Sequence, residues 1–552
     1  AGRGLYSRSS SHGAIQRGEI SRLWNFGRKV VTPYLPFLTK NRMRDPPMDK
    51  PNILIFMTDQ QRACSVLPDD SYKAITPVLD AFRRGAVTFS RTYCPSPHCC
   101  PARASFMTGL MPTQHGVWHN VNVTNAITRG LKEHVRPWSV DMEAAGYRML
   151  FAGKWHVSNY QQPCAYGWES AGNIDRPEKT LDQQEAEARE REMRRMKDRT
   201  VAESDTSRRR GEILRHGYTP YIHYGGKDDP FLSQYFRGDD DENPFGDRSV
   251  VESALEKLNA LAGEPWCMYV GTLGPHDPYI PPKRFLDMYA DVEFPLPDTF
   301  DDPLDDKPAL YRRTRDRFGQ LTREEHREAI AHYLAFCSYE DWLFGLLIDK
   351  LKERGEYEDT IILYVSDHGD YLGDHGLWCK GLPAFLTNYH VPAILKMPGG
   401  EQDVVRDELV SLCDFGPTFL DAAGADSPVT FAGRSLMPLM TAEEVSEDWR
   451  DALFFQTNGN ETYGIQRSIV TDKWRFVYNG FDYDELYDLE NDPGQMINLA
   501  CDPQYESVKK EMYTRIWAFG LEHEEQLINE YIMTAMADYG PAIALREERD
   551  TT

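Results

Sequence analysis

From Pro51 onward the chain alternates short apolar runs with segments of helical period. NILIFMTDQQ (52–61), RMLFAGKWH (148–156), PWCMYVGTLGPH (265–276) and TIILYVSDHGD (360–370) each open with a continuous apolar stretch and close on polar residues. Short runs of this kind fit strands buried on both faces. Between them, 249–262 and 328–354 carry the 3.6-residue period of helices, the latter leading through a Gly-containing turn into TIILYV. Strands alternating with helices predict an α/β fold: a large mixed, mostly parallel sheet sandwiched by helices. After about residue 400 the pattern changes. CDFGPTFLDAAGA (413–425) predicts a last helix of the large domain, and FFQTNGNETYGIQRSIVTDKWRFVYNG (454–480) alternates with turn residues between. That alternation predicts a smaller C-terminal α+β domain, with an antiparallel sheet and a terminal helix near 503–529. The expected division is an N-terminal extension over 1–50, the α/β domain over 51–445 and the C-terminal subdomain over 446–552.

Two stretches read as peripheral. Residues 177–215 are rich in both signs of charge and poor in apolar anchors, which predicts an exposed helix or a loop. Residues 295–308, with clustered Pro and Asp, read as a surface excursion. The first fifty residues are basic, with Glu19, Asp45 and Asp49 as their acids, and lack the apolar core of a secretory signal. A transit-like leader, a docking arm and a solvated extension all fit them, and the cytoplasm is the expected compartment. Asn122-Val-Thr and Asn460-Glu-Thr match the glycosylation triplet, a pattern that also arises by chance.

Composition narrows the function. A net charge of -24 opposes broad nucleic-acid binding, which depends on Lys and Arg neutralising phosphates. An anionic substrate would therefore need a local cationic pocket within a repulsive global field. The 10 cysteines do not form a disulfide framework, and they lack the paired spacing of a zinc site. No run of 18 apolar residues is present, so no transmembrane segment is expected.

All four strands end in residues capable of chemistry: Asp59-Gln60, Lys154 with His156, His276-Asp277, and Asp367-His368. Ligands of open α/β sheets collect beyond the carboxyl ends of the strands, which would bring these groups to one site. A fifth stretch, CCPARASFMTG (99–109), places two cysteines before a proline suited to the first helical turn and before Arg103. A helix start and a guanidinium both favour negative charge, so this is an anion-binding corner.

Cys99-Cys100-Pro101-Ala102-Arg103, with its Thr108-Gly109 close, resembles the signature of the sulfatase family, Cys-x-Pro-x-Arg. SDHGDYLGDHGLWCKG (366–381), GKWH (153–156), PHDPY (275–279) and LYDLENDPGQMINLA (486–500) resemble further elements of that family, in its order. The resemblance spans about 51–500. It implies that Cys99, rather than Cys100, is converted to formylglycine by a formylglycine-generating enzyme, and that the hydrated aldehyde is the nucleophile. It also implies one divalent metal held by Asp59, Gln60, Asp367, His368 and an oxygen of converted Cys99. Ca2+ is the family expectation; an imidazole ligand also suits Mn2+, and Mg2+ is open. The Gln and His ligands depart from the Asp-Asp and Asp-Asn pairs of some sulfatases, and resemble the phosphonate monoester hydrolase and choline sulfatase branches.

The remaining roles implied follow the needs of sulfate ester cleavage. Arg103 would hold the surroundings of the nucleophile, Lys154 would hydrogen-bond the diol, and His156 would take the proton that releases sulfate. His276 and Lys380 would meet the sulfate and the leaving oxygen, with His276 the better acid. Asp277, Tyr279 and His375 would at least shape the loops. Hydrolysis of a sulfate monoester, on a small molecule or a carbohydrate, is the leading expectation. A phosphonate monoester or phosphodiester hydrolase, and a non-catalytic anion binder with unmodified Cys99, are the alternatives. Lys154 and His156 favour sulfate, because the phosphonate branch carries neutral residues there. Tyr218, Tyr221, Tyr224 and Phe236 could stack on sugar rings or simply pack. Oligomeric state and the group bearing the sulfate have no motif.

Overall fold

The computed structural model describes residues 50–546 apart from 68–71, 124, nearly all of 173–242, 244, 320, 442–448, 461 and 529–535. The basic extension, the body of the 177–215 insert and the four aromatic residues just named lie outside the described residues.

Among the described residues nine strands form the main sheet: β1 (Asn52–Thr58), β2 (Val87–Tyr93), β3 (Arg148–Gly153), β4 (Glu169–Ser170), β5 (Trp266–Gly271), β6 (Thr360–Ser366), β7 (His390–Lys396), β8 (Val404–Arg406) and β9 (Val410–Ser411). Their order is β4-β3-β5-β1-β6-β7-β2-β8, with β9 beside β2. β1 lies at the centre, parallel to β5 through Ile53↔Cys267 and to β6 through Ile53↔Ile361. Only β7 runs against its neighbours β6 and β2. The sheet is therefore mixed and mostly parallel, as the apolar runs imply.

Every residue of β1 is buried, because both faces of the sheet are covered. Ile53, Ile55 and Met57 enter one core with helices α2 (Cys99–Thr108), α3 (Trp138–Ala144) and α6 (Phe415–Ala423). Leu54 and Phe56 enter the opposite core with α1 (Pro77–Phe82), α4 (Asp247–Asn259) and α5 (Arg323–Arg354). α5 starts on a capping box, in which Thr322 Oγ1 accepts from Glu325 N and the Glu325 carboxylate accepts from Thr322 N. It stops at Gly355, whose φ of +74° suits a left-handed cap.

The second sheet, β10 (Leu453–Gly459), β11 (Tyr463–Val470), β12 (Trp474–Asn479) and β13 (Glu485–Asp488), is an antiparallel meander. Phe455, Val470 and Val477 join the first core of the main sheet. Ile469, Phe476 and Leu486 pack under the terminal helix α7 (Glu506–Glu522).

Residues 295–308 do run along the surface, with Pro295, Asp298, Asp301, Pro303, Asp305 and Asp306 exposed, but Asp302, Leu304 and Lys307 are buried. Asp302 binds His375 Nδ1 at 2.7 Å and Lys307 Nζ at 3.2 Å. A buried acid with two cationic or polar partners anchors this segment where composition alone suggests solvent.

Candidate active site

The catalytic candidates sit where parallel strands run out. Asp59 and Gln60 follow β1, Lys154 and His156 follow β3, His276 follows β5, and Asp367 and His368 follow β6. Cys99 opens α2, after His98 at the cap position, and Lys380 lies on the loop between β6 and β7. Strand ends aim side chains at a common point, and two residues there accept left-handed backbone: Gln60 with φ +64° and His156 with φ +54°. Such conformations persist only where surrounding bonds fix them.

At the centre, ligand atoms of Asp59, Cys99, Asp367 and His368 all lie within 4.8 Å of one another, and all four residues are buried. Cys99 Sγ is 3.2 Å from His368 Nε2 and 3.8 Å from Asp59 Oδ1. His368 Nδ1 lies 2.9 Å from the carbonyl of Gly369, an acceptor only, so Nδ1 carries the proton and the Nε2 lone pair faces the cluster. Two carboxylates and an imidazole nitrogen so presented are the donor set of a divalent cation, and the residues fit one.

Cations line the same point. Arg103 is wholly buried and bridges the acids, with Nε on Asp367 Oδ2 at 2.7 Å and Nη2 on Asp59 Oδ2 at 3.0 Å. Its third nitrogen is held by Tyr269 Oη at 2.8 Å, so its fork is fixed in place. Lys154 Nζ pairs closely with Asp59. Lys380 Nζ reaches Cys99 Sγ at 3.1 Å, Gln60 Oε1 at 2.7 Å and His276 Nε2 at 2.7 Å.

These charges set the protonation states. Burial and Cys99 push the Asp59 carboxyl up, but Lys154, His276 and Arg103 outweigh them and hold it well below the usual range. Burial also raises the Cys99 thiol, yet Lys154, Lys380, His368 and His156 together pull it well below its ordinary value. Cys100, one residue on, goes the other way, raised by burial and by its neighbour Cys99. Burial and Lys380 lower His276, while Asp277 and Asp59 more than offset this, so the ring is pushed up.

The two remaining histidines have defined faces. His156 Nε2 lies 3.0 Å from Asn122 Oδ1, while its Nδ1 is buried with no hydrogen-bond partner. His276 Nδ1 lies 2.5 Å from the Asp277 carbonyl, which leaves Nε2 to accept from Lys380.

The ten residues given catalytic or metal-binding roles from the sequence thus meet in one place; Asp277 and Tyr279 join them through Gln60 and Asp370, whereas His375 stacks on Phe385 and binds Asp302. Sequence reasoning missed Tyr269, Asn122 and Asp370. Asp370 sits inside the quoted SDHGD run and could have been suspected as an acid three residues from Asp367. Tyr269 and Asn122 carry no local signal. Of the two glycosylation triplets, Asn460 is buried, its Oδ1 accepting from Asn120 N at 3.0 Å, whereas Asn122 is exposed and its Oδ1 lies 3.0 Å from His156 Nε2.

Comparison with known proteins agrees with this geometry. The Sulfatase family model matches residues 51–425, and a second, N-sulphoglucosamine sulphohydrolase C-terminal, matches 373–521. The chain is 29% identical over 465 residues to a choline-sulfatase of Rhizobium meliloti, covering 82% of this chain and 83% of that one. It is 28% identical over 467 residues to an arylsulfatase of Clostridium perfringens, covering 83% and 91%. Among solved structures, a phosphonate monoester hydrolase from Silicibacter pomeroyi superposes with a TM-score of 0.66 at 22% identity, covering 87% of this chain and 98% of that one. Another, in complex with its substrate D-glucosamine-2-N,6-O-disulfate, gives 0.65 at 19% identity, covering 86% and 99%. With the family model spanning the main sheet and the whole cluster, the chain belongs to the sulfatase family, hydrolases of sulfuric esters within the alkaline phosphatase superfamily.

Proposed function

We propose that the protein hydrolyses a sulfate monoester, using a formylglycine made from Cys99 beside one divalent metal. The observation that carries this reading is the burial of Cys99 against Asp59 and His368, with Lys380 and Lys154 around it. In the unconverted chain Cys99 Sγ stands where the converted side chain would bear its oxygens. When present, the hydrated aldehyde supplies an oxygen nucleophile. The metal, Ca2+ by family expectation, would be held by Asp59, Gln60, Asp367 and His368, and would neutralise charge on sulfate and acidify the diol.

The chain's own residues supply the rest. Arg103 bridges both carboxylates and orients them. Lys154 and Lys380 offer ammonium hydrogens to the non-bridging oxygens of sulfate, whose charge they balance. His276, with Nδ1 fixed on the Asp277 carbonyl and Nε2 against Lys380, shares with that lysine the proton delivered to the leaving oxygen. His156 carries its free lone pair at Nδ1, beside Cys99, and takes the proton that lets sulfate depart. The proposed catalytic domain is 51–445, with 446–552 as its companion.

A phosphonate monoester hydrolase is the second reading, favoured by the shared fold. Lys154 and His156 both face the Cys99 position, which supports sulfate over it. Three assays decide. Mass spectrometry of the Cys99 peptide from the native host is expected to show the aldehyde. Turnover of an aryl sulfate is expected to exceed that of a phosphonate monoester by orders of magnitude. Cys99→Ala is expected to abolish turnover with the fold intact. An unmodified thiol throughout an active preparation, or a preference for the phosphonate, overturns the proposal.

A further inference from the structure

Gln60 is bound at every polar group it has. Its backbone N–H donates to Asp367 Oδ1 at 3.0 Å, and its carbonyl accepts from Tyr333 Oη at 2.7 Å. Its side-chain nitrogen Nε2 donates to Asp370 Oδ2 at 2.7 Å and to Asp277 Oδ1 at 3.1 Å, and its Oε1 accepts from Lys380 Nζ at 2.7 Å. These neighbours allow one orientation of the amide. A carboxylate only accepts and an ammonium only donates, so a rotated amide would face oxygen to oxygen on one side and N–H to N–H on the other.

Asp370 is itself pinned. Its Oδ2 accepts from Tyr279 Oη and its Oδ1 accepts from Leu372 N at 2.7 Å, within a fully buried setting. The amide and the two acids that face it come from three strand ends: Gln60 follows β1, Asp277 follows β5 and Asp370 follows β6.

We propose that Asp277 and Asp370 are positioning residues that hold the Gln60 amide so that its carbonyl oxygen, never its nitrogen, is turned toward the metal position. They also make a neutral amide the required ligand there, because a carboxylate at 60 would meet two carboxylates in place of two acceptors for its N–H groups. This inference rests on Gln60 being a ligand, as proposed above. It has a consequence opposite to simple charge counting. Adding a negative ligand by Gln60→Glu should weaken cation binding. Converting one of the facing acids to an amide should restore it, because the new amide at position 370 donates to the new carboxylate at position 60, reversing the parental bond from Gln60 to Asp370.

The test is calorimetric titration of Ca2+ into the full-length protein, stripped with chelator, at pH 7.5, with thermal melts as the folding control. Gln60→Glu is expected to bind about tenfold more weakly than the parent, the scale of outer ligand-orienting contacts. The double variant Gln60→Glu/Asp370→Asn is expected to return to within about threefold of it. Should that pair not fold, Gln60→Glu/Asp277→Asn replaces it with the same expected recovery, since Asp277 accepts the other N–H. Tighter binding by Gln60→Glu, or no recovery in a folded double variant, overturns the inference while leaving Gln60 as a ligand. A Gln60→Ala variant with parental affinity removes Gln60 from the ligand set, and overturns both.

Discussion

At the scale of single residues, adjacent cysteines show how environment sets chemistry. Cys99 faces cations and the carboxylates they balance; Cys100 turns into the core, where its Sγ accepts from Val121 N at 3.2 Å. Cys100→Ala should keep turnover per folded molecule but leave that buried N–H without an acceptor, costing about 1–3 kcal/mol. Cys100→Ser should recover most of the loss, and paired melting curves measure both. His115 acts on the same helix from behind. Val117 N donates to His115 Nδ1 at 3.1 Å, so Nε2 carries the proton and donates to Ser105 Oγ at 3.0 Å. Burial and Lys132 depress this imidazole to about 3. A depressed histidine contributes stability that is complete above the unfolded value near 6.5 and is lost as pH falls toward about 3. The melting temperature of the parent should therefore drop between about pH 6.5 and about pH 4 more steeply than that of His115→Gln, which has no charge to gain. Equal slopes would show that acid sensitivity lies elsewhere. The motif residues were legible because sulfate chemistry restricts residue types. Tyr269, which fixes Arg103, was not, because its role exists only once α2 packs on β5.

At the scale of elements, the four strands that carry the site were legible and the other five of the main sheet, β2 and β7 the longest of them, were not. β1, β3, β5 and β6 are buried on both faces and read as apolar runs. β2 and β7 escaped. β2, VTFSRTY, mixes polar residues into its length, and β7, HVPAILK, contains a proline. Pro392 is tolerated because the β2–β7 ladder bulges between Phe89 and Thr92, opposite it, so no ladder bond awaits its missing N–H. The tips of β3 and β5 explain how Lys154 is aimed. Gly153 has φ +86°, and a Cβ there would lie 2.0 Å from the Gly271 carbonyl oxygen, the same atom that accepts from Lys154 N at 2.9 Å. Gly153→Ala must push these strand ends apart and carry Lys154 away from Asp59. A displacement of about 1 Å at a reacting centre costs roughly 100-fold, so kcat should fall on that order, with a stability loss of about 1–3 kcal/mol from the strained backbone. Steady-state kinetics at a temperature well below the melting transition separates the two effects.

At the scale of the whole molecule, the C-terminal sheet supports the loop that carries Lys380, although none of its described residues is hydrogen-bonded to Cys99. Lys380 rides on a loop whose next anchor is Ala384. Ala384 O accepts from Arg475 Nη2 of β12 at 3.0 Å, and Ala384 N donates to Tyr311 Oη at 3.1 Å. Tyr311 Oη in turn donates to Glu485 of β13 at 2.5 Å and accepts from Gln466 of β11 at 2.7 Å. Between these anchors, Gly381 O is held by Tyr371 Oη at 2.8 Å and Asn388 Nδ2 at 3.0 Å. The loop that presents the ammonium is thus clamped at both polar groups of one residue by three strands of the other sheet. Arg475 is fully buried against the rings of Tyr389 and Phe455, where removing it unpairs the Ala384 carbonyl and leaves nearby Glu485 without its cation. Arg475→Met keeps the volume and loses the bond. If the clamp positions Lys380, kcat should drop about tenfold, the usual cost of losing an outer-shell support, with KM nearly unchanged and near-parental secondary structure well below the melting transition. A variant that melts earlier yet turns over at the parental rate when folded would reduce the second sheet to a buttress.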